Sequence, residues 1–233
     1  MPVMNLAIAA DSLQHTLLSQ GFVHLESVLT PGQCETIMAW YSEPALFRTT
    51  INMARYRFGE GEYKYFNYAL PGLLQSLRQQ LYEMLVPAAN LWSKALRLNL
   101  TFPEAHADFL QLCHDKGQRR PTPLLLTYGD GGYNTLHQDL YGDVYFPFQP
   151  VFFLKQPGWD YEGGEFILVE QRPRAQSKAI SLTPKQGDLV IFATSQRPVM
   201  GSKGYYRVQM RHGVSTVHSG HRMTLGIPLH DAK

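Results

Sequence analysis

From about Pro121 onward the chain breaks into short runs of β-branched, aromatic and aliphatic residues punctuated by Gly, Pro and Asp, a texture that restricts its fold more than any other feature. The runs are Leu124–Tyr128, Val151–Leu154, Glu165–Val169, Ala179–Leu182, Leu189–Ala193, Arg207–His212 and Arg222–Ile227. At this spacing they predict a sandwich or a barrel-like jelly roll.

The first 120 residues read mostly helical. Asp11 is the expected N-cap of a first helix, with Leu13, Leu17 and Leu18 on one face and Gly21 as its stop. A short strand, Phe22–Leu25, follows. Thr30-Pro31-Gly32-Gln33 forms a capping box with proline at the first helical position, opening a helix through Ile37, Trp40 and Tyr41. Leu73, Leu74, Leu77, Leu81 and Leu85 repeat at helical spacing, as do Phe109, Leu112 and Cys113. The expected fold is mainly β with flanking helices. We expect one domain over 1–233, in which 1–120 is mostly helical support and 121–233 the jelly-roll core. The 44% apolar content of 233 residues suffices for one sizeable core.

A net charge of +2 is too mild to imply a polyanionic partner, but its distribution is uneven. Residues 171–211 hold Arg172, Arg174, Lys178, Lys185, Arg197, Lys203, Arg207 and Arg211 against one acid, Asp188. Cys34 and Cys113 are too few for a disulfide framework and are expected to be reduced and structural. The start of the chain has no basic leader, and no apolar run approaches the ~18 residues that span a bilayer, so a cytoplasmic protein with no membrane partner is expected. Trp40, Trp92 and Trp159 read as packing residues.

Chemistry concentrates in Leu136-His137-Gln138-Asp139. Side chains at i and i+2 of a strand project from one face, so His137 and Asp139 can reach the same ion. Two imidazoles and one carboxylate occupy one face of an octahedral Fe(II) and leave the other open. Candidates for the second imidazole are His212, His218 and His221. Asp143 and Glu165 are alternative carboxylates, with turn or supporting roles favoured for both. Farther along, Arg222, Thr224 and Gly226 share one strand face, where a planar guanidinium and a hydroxyl can bind a carboxylate together.

These residues resemble the Fe(II)/2-oxoglutarate-dependent dioxygenases, whose pattern is His-x-Asp, a long insertion, a distal His and an Arg about ten positions later. The interval 222 − 212 = 10 selects His212. Tyr128 and Gly131 precede the metal pair, Gly163-Gly164-Glu165-Phe166 starts a strand, and Pro184-Lys185-Gln186-Gly187-Asp188 through Phe192 resembles a prolyl-hydroxylase segment. The resemblance implies a double-stranded β-helix (jelly-roll) core, with Fe(II), 2-oxoglutarate and O2 as cofactor and co-substrates. It further implies His137, Asp139 and His212 as metal ligands and Arg222, helped by Tyr128 and Thr224, on the distal carboxylate of 2-oxoglutarate. The reaction implied is decarboxylation of 2-oxoglutarate to succinate coupled to substrate hydroxylation.

The spacing Tyr128, Gly131, His137, Asp139 also resembles the AlkB-like oxidative demethylases, which points to alkylated nucleic acid as substrate. Arg48, Arg55, Arg57 and Lys64 interleave with Tyr56, Phe58, Tyr63, Tyr65 and Phe66, a composition suited to a phosphate-and-base groove that the basic 171–211 stretch would extend. Against this stands Pro228, where those demethylases usually carry a second arginine. The ten-residue His-to-Arg interval belongs to the prolyl-hydroxylase side. A protein or peptide hydroxylase, with 52–68 as a substrate lid, is therefore the rival reading. A small-molecule hydroxylase is a third, and a catalytically silent jelly-roll binding module a fourth.

Overall fold

A computed structural model describes residues 9–233; the reading of the leader falls mostly outside them. Two sheets form the body. The larger has the strand order Phe22–Leu25, Leu189–Ala193, Phe148–Phe153, Arg222–Gly226, Leu124–Tyr128, Glu62–Phe66, Phe47–Asn52, all antiparallel. The smaller runs Lys178–Leu182, Phe166–Gln171, Gly204–Val214, Tyr133–His137, Gly59–Glu60, with Gln196–Gly201 paired beside Gly204–Val214. Phe166 of the smaller sheet packs on Phe153 and Phe192 of the larger, at ring-centroid distances of 5.9 and 5.1 Å. This is the expected jelly-roll core.

The central strands Phe148–Phe153, Leu189–Ala193 and Arg222–Gly226 are buried at every residue, because both faces of the larger sheet are covered. The outer cover is helical. Helices α1 (Ala10–Gln20), α2 (Pro31–Ala39), α3 (Gly72–Ala95) and α4 (His106–Asp115) brace the sheet. Leu74, Leu77, Leu81 and Leu85 of α3 are fully buried, each worth roughly 1.5–3 kcal/mol relative to exposure. Farther along α3, Trp92 meets Phe148 edge-on at 4.5 Å. The Thr30 capping box forms as expected: Gln33 N donates to Thr30 Oγ1 (3.3 Å), and Thr30 N donates to Gln33 Oε1 (2.9 Å).

Four expectations need correction. The front section carries strands that its helical reading did not include: Phe47–Asn52 and Glu62–Phe66 extend the larger sheet past Leu124–Tyr128, and Gly59–Glu60 extends the smaller. Glu62-Tyr63-Lys64-Tyr65-Phe66 alternates with period two, which is strand patterning. Helix α1 is capped at Ala9 without a side-chain bond, and Asp11 lies in its first turn, where its charge still favours the helix dipole. Trp159 is 89% exposed in a turn, so it packs nothing, and Leu112 faces solvent on α4. Among the described residues no helix is long and apolar enough to cross a membrane.

The end of the chain is fixed by one buried carboxylate. Asp231 accepts hydrogen bonds from Arg78 of α3 (2.9 Å), Tyr68 (2.9 and 3.0 Å) and His114 of α4 (2.9 Å). Removing one partner of a buried ion pair strands the other, so Asp231→Ala should destabilise the protein by about 3–5 kcal/mol in urea unfolding. A loss below about 1 kcal/mol would mean that the network does not hold the fold together.

Nearby His106 stacks on Tyr82 (4.9 Å) and pairs through Nε2 with the Leu229 carbonyl (2.8 Å). Burial pushes its pKa down to about 4. A histidine held neutral in the fold supplies stability that is fully present above its ordinary pKa and is lost as pH falls toward the folded value. Stability should therefore drop between about pH 6.5 and 4, by roughly 2 kcal/mol at pH 5. Urea midpoints at pH 7 and 5 for wild type and His106→Asn measure it; an equal drop in both would remove His106 as the cause.

Candidate metal centre and co-substrate pocket

His137 ends the Tyr133–His137 strand, and His212 is its partner across the antiparallel ladder with Gly204–Val214. The two rings stand 4.2 Å apart. Asp139 lies two residues beyond His137, just past the strand end, and reaches both: Oδ1 is 3.5 Å from His137 Nε2 and Oδ2 is 3.3 Å from His212 Nε2. The donor atoms all lie within 4.8 Å of one another. Neighbouring ligands on an octahedral ion with bonds of roughly 2.1 Å stand about 3 Å apart, so the trio is close to a facial arrangement.

Each ligand is oriented by a further contact. The Thr135 carbonyl lies 2.7 Å from His137 Nδ1, fixing the proton there and leaving the Nε2 lone pair facing Asp139. Tyr141 OH donates to Asp139 Oδ1 (2.8 Å) and Gln149 Nε2 to Oδ2 (2.6 Å). Burial on its own would raise the Asp139 carboxyl; the hydrogen bonds from His212 and Gln149 and the adjacent imidazoles outweigh it and hold the carboxyl well below the usual range. Burial, with His137 alongside, lowers His212. The site thus presents an ionised carboxylate and a neutral imidazole, the forms a cation needs.

The trio opens into a cavity of about 240 Å3. Its wall also carries Arg222, 1% exposed, whose Nε and Nη1 are buried without a hydrogen-bond partner. The guanidinium sits 5.4 Å from the ring centroids of both Tyr128 and Phe153. Thr224, two residues along the strand, lines the same cavity, and Tyr128 is Arg222's cross-strand partner. A desolvated cation with spare donors on a cavity wall fits an anionic group such as a carboxylate. Together the trio and Arg222, lining one cavity, fit a metal ion and an anionic co-substrate such as a dicarboxylate.

Tyr63 and Tyr65 line the cavity mouth. Lys64, with the opposite strand parity, donates to the Tyr41 carbonyl (3.0 Å) and lies 3.9 Å over the Tyr41 ring, away from the cavity. Arg55 and Arg57 are exposed in and just after the turn Met53–Tyr56. Of the alternative ligands, Asp143 pairs with Lys233 Nζ (2.9 Å) at the surface, Glu165 bonds Ser215, and His218 and His221 are exposed. Sequence reasoning missed Gln149 and Tyr141, and read Gly164 only as part of a strand start. Gln149 had a signal, being the one amide in the otherwise apolar Phe148–Phe153 run.

Residues 61–232 match the family Oxygenase-NA, described as an oxygenase catalysing oxidative methylation of damaged DNA. The chain belongs to this family. An uncharacterised protein of Mycobacterium tuberculosis, found in strains CDC 1551 and H37Rv, is 45% identical over 163 residues, 70% of each chain. In fold the chain is similar to a Pseudomonas putida prolyl-4-hydroxylase (TM-score 0.58, 14% identity, 94% of this chain and 96% of that one). It is also similar to a 2OG-Fe(II) oxygenase family oxidoreductase of Burkholderia pseudomallei (0.55, 14%, 97% and 94%). The protein is an oxygenase, and its triad and arginine-lined cavity fit Fe(II), 2-oxoglutarate and O2.

Gly164 makes room for Arg222. At φ +62°, a Cβ there would stand 2.8 Å from Arg222 Cδ and 2.9 Å from Val217 Cγ2. Gly164→Ala should therefore displace the guanidinium and weaken 2-oxoglutarate binding about tenfold or more, the equivalent of ~1.4 kcal/mol, while Mn(II) affinity holds. Calorimetric titration of each separates the two; unchanged 2-oxoglutarate affinity would count against Arg222 as its anchor.

Proposed function

We propose that this oxygenase demethylates alkylated nucleic acid, using Fe(II) held by His137, Asp139 and His212 and 2-oxoglutarate anchored by Arg222 with Thr224 and Tyr128. The observation that carries the substrate reading is an exposed aromatic pair beside the cavity. Tyr56 and Phe58 stack at 5.6 Å with an interplanar angle of 18°, are 55% and 46% exposed, and alternate with Arg55 and Arg57. Phe58 also lines the cavity. Exposed rings supply stacking for an unpaired base, and interleaved cations meet its phosphates.

Bound iron with 2-oxoglutarate and O2 supplies oxygen to a substrate C–H bond, yielding succinate and CO2. Applied to an N-methyl group this gives N–CH2OH, which breaks its C–N bond to release formaldehyde and return the N–H. The protein's residues hold and orient. Arg222 neutralises the far carboxylate out of water, and the aromatic walls Tyr63, Tyr65 and Phe166 enclose the reacting end. Asp139 is kept ionised and aimed by Tyr141 and Gln149.

The ten-residue interval from His212 to Arg222, and Pro228 where a second arginine would stand, favour a prolyl-type peptide hydroxylase as the second reading. Iron-loaded protein should turn over 2-oxoglutarate, and His137→Ala or Asp139→Ala should abolish that turnover. Incubation with methylated oligonucleotides and with proline-containing peptides, followed by mass spectrometry, decides the substrate. Loss of about 14 Da from the oligonucleotide supports demethylation; a gain of about 16 Da on peptide alone overturns it for the second reading.

A further inference from the structure

The strand that delivers His212 to the cavity presents a second set of side chains to the opposite side. Along Gly204–Val214, Val208, Met210 and His212 are buried, whereas Tyr205, Arg207, Gln209 and Arg211 are exposed. Strand parity makes this a single outward row, with Arg207 and Arg211 about 13 Å apart at ~3.3 Å per residue. Neither arginine has an acidic partner within ion-pair distance among the described residues. Gln138, set between the metal ligands His137 and Asp139, joins this face by donating to Gln209 Oε1 (3.1 Å).

The charge surrounding the row is one-sided. Glu170 and Asp188 are the only acids between residues 166 and 214, and both are buried. Glu170 is neutralised by Arg197 (2.7 Å) and Arg172 (2.7 Å), and Asp188 is turned inward, hydrogen-bonded to His24, Ser27 N and Lys185 N. Of the cations in the stretch only Arg197 is buried. The pairing of Gln171 with Gln209 sets the following turn, with Arg172 and Arg174, alongside Arg207. Lys203 sits in the hairpin turn beyond Tyr205, and Met200, opposite Tyr205, is 62% exposed.

We infer that this outward face of the smaller sheet is a track for the nucleic-acid backbone, with Arg207 and Arg211 binding phosphates of the strand whose modified base enters the cavity. The inference rests on the nucleic-acid reading above and assigns to it a surface separate from the Tyr56–Phe58 pair. A row that carries two arginines and no acid of its own, with the one exposed acid of the adjoining groove, Asp143, already paired with Lys233, is complementary to a polyphosphate. The exposed Tyr205 ring on the same row adds a stacking platform.

The test is binding of a short single-stranded oligonucleotide carrying N-methyladenine, measured by fluorescence anisotropy across salt concentrations. Neutralising two phosphate contacts in Arg207→Gln/Arg211→Gln should lower affinity at low salt at least about tenfold. It should also make the slope of log K against log salt shallower by about 1.4. Lys185→Gln, in the turn leading into the other sheet, should leave both unchanged. Wild-type binding with an unaltered double variant would overturn the track and leave the nucleic-acid reading standing. No wild-type binding at low salt would overturn both.

Discussion

The pairing of His212 against His137 across one antiparallel ladder is the constraint on which the rest of the site depends. Strand side chains alternate, so a slip of one residue would turn His212 outward and bring Arg211 or Gly213 to face Asp139. The register is secured on both sides of the Gly204–Val214 strand. Phe166–Gln171 pairs along six of its residues, and Gln138 clasps the carbonyls of Ser195 and Met210 from between His137 and Asp139. A bulge between His212 and Val214 then frees Gly213 to pack against the Asn134 carbonyl, where a Cβ would stand 2.7 Å away. Backbone pairing, more than side-chain contact, aims the imidazoles.

The chemistry also explains why such costly groups are kept inside. Arg222 is removed from water with two nitrogens unsatisfied, and its pKa is lowered first by that burial. A buried cation that keeps unsatisfied donors beside its Tyr161 contact opposes folding, and the surrounding fully buried strands provide the compensating apolar burial. The resulting site discriminates by charge: a ligand that brings a carboxylate to Arg222 relieves the desolvation, while a neutral ligand leaves it in place. Tyr128 and Phe153 contribute ring faces near the cation without offering it a counter-charge, which preserves that preference.

Much of this was legible in the sequence because the β-rich half repeats one physical pattern. Leu124–Tyr128 and Leu189–Ala193 are found with the boundaries read from their residue types, and Asp139 and His137 come together as i and i+2 positions should. The front strands were hidden because their chemistry resembles something else. Glu62-Tyr63-Lys64-Tyr65 has strand alternation, yet its cations and rings also suit a binding groove, and only pairing with Leu124–Tyr128 separates the two faces. Lys64 thereby loses the place that composition alone would give it beside Tyr63 and Tyr65. His221 was a rival ligand in sequence, but it has the opposite parity to Arg222 and meets Thr127 on the outside. Gly164 read only as part of a strand start, since its value lies in a contact 58 residues away with Arg222.

The arrangement around Asp139 shows how a buried carboxylate is aimed. An ionised carboxylate has about four acceptor positions. Tyr141 and Gln149 each take one, on different oxygens, so the carboxylate plane is fixed from two sides while each oxygen keeps a free lone pair toward the imidazoles. Because Asp139 accepts only, the Gln149 amide must turn its nitrogen inward, which leaves Oε1 buried and unpaired. That unpaired oxygen opposes stability, and its position is explained by the carboxylate it serves. Tyr141 is constrained in turn by Tyr65 (6.0 Å, edge-on) and His230 (5.8 Å), linking the carboxylate to a front strand and to the chain end held by Asp231. Asp139, which lies outside any strand, is thus held by contacts from three separate parts of the fold, which supply the rigidity that the ladder gives to the two histidines.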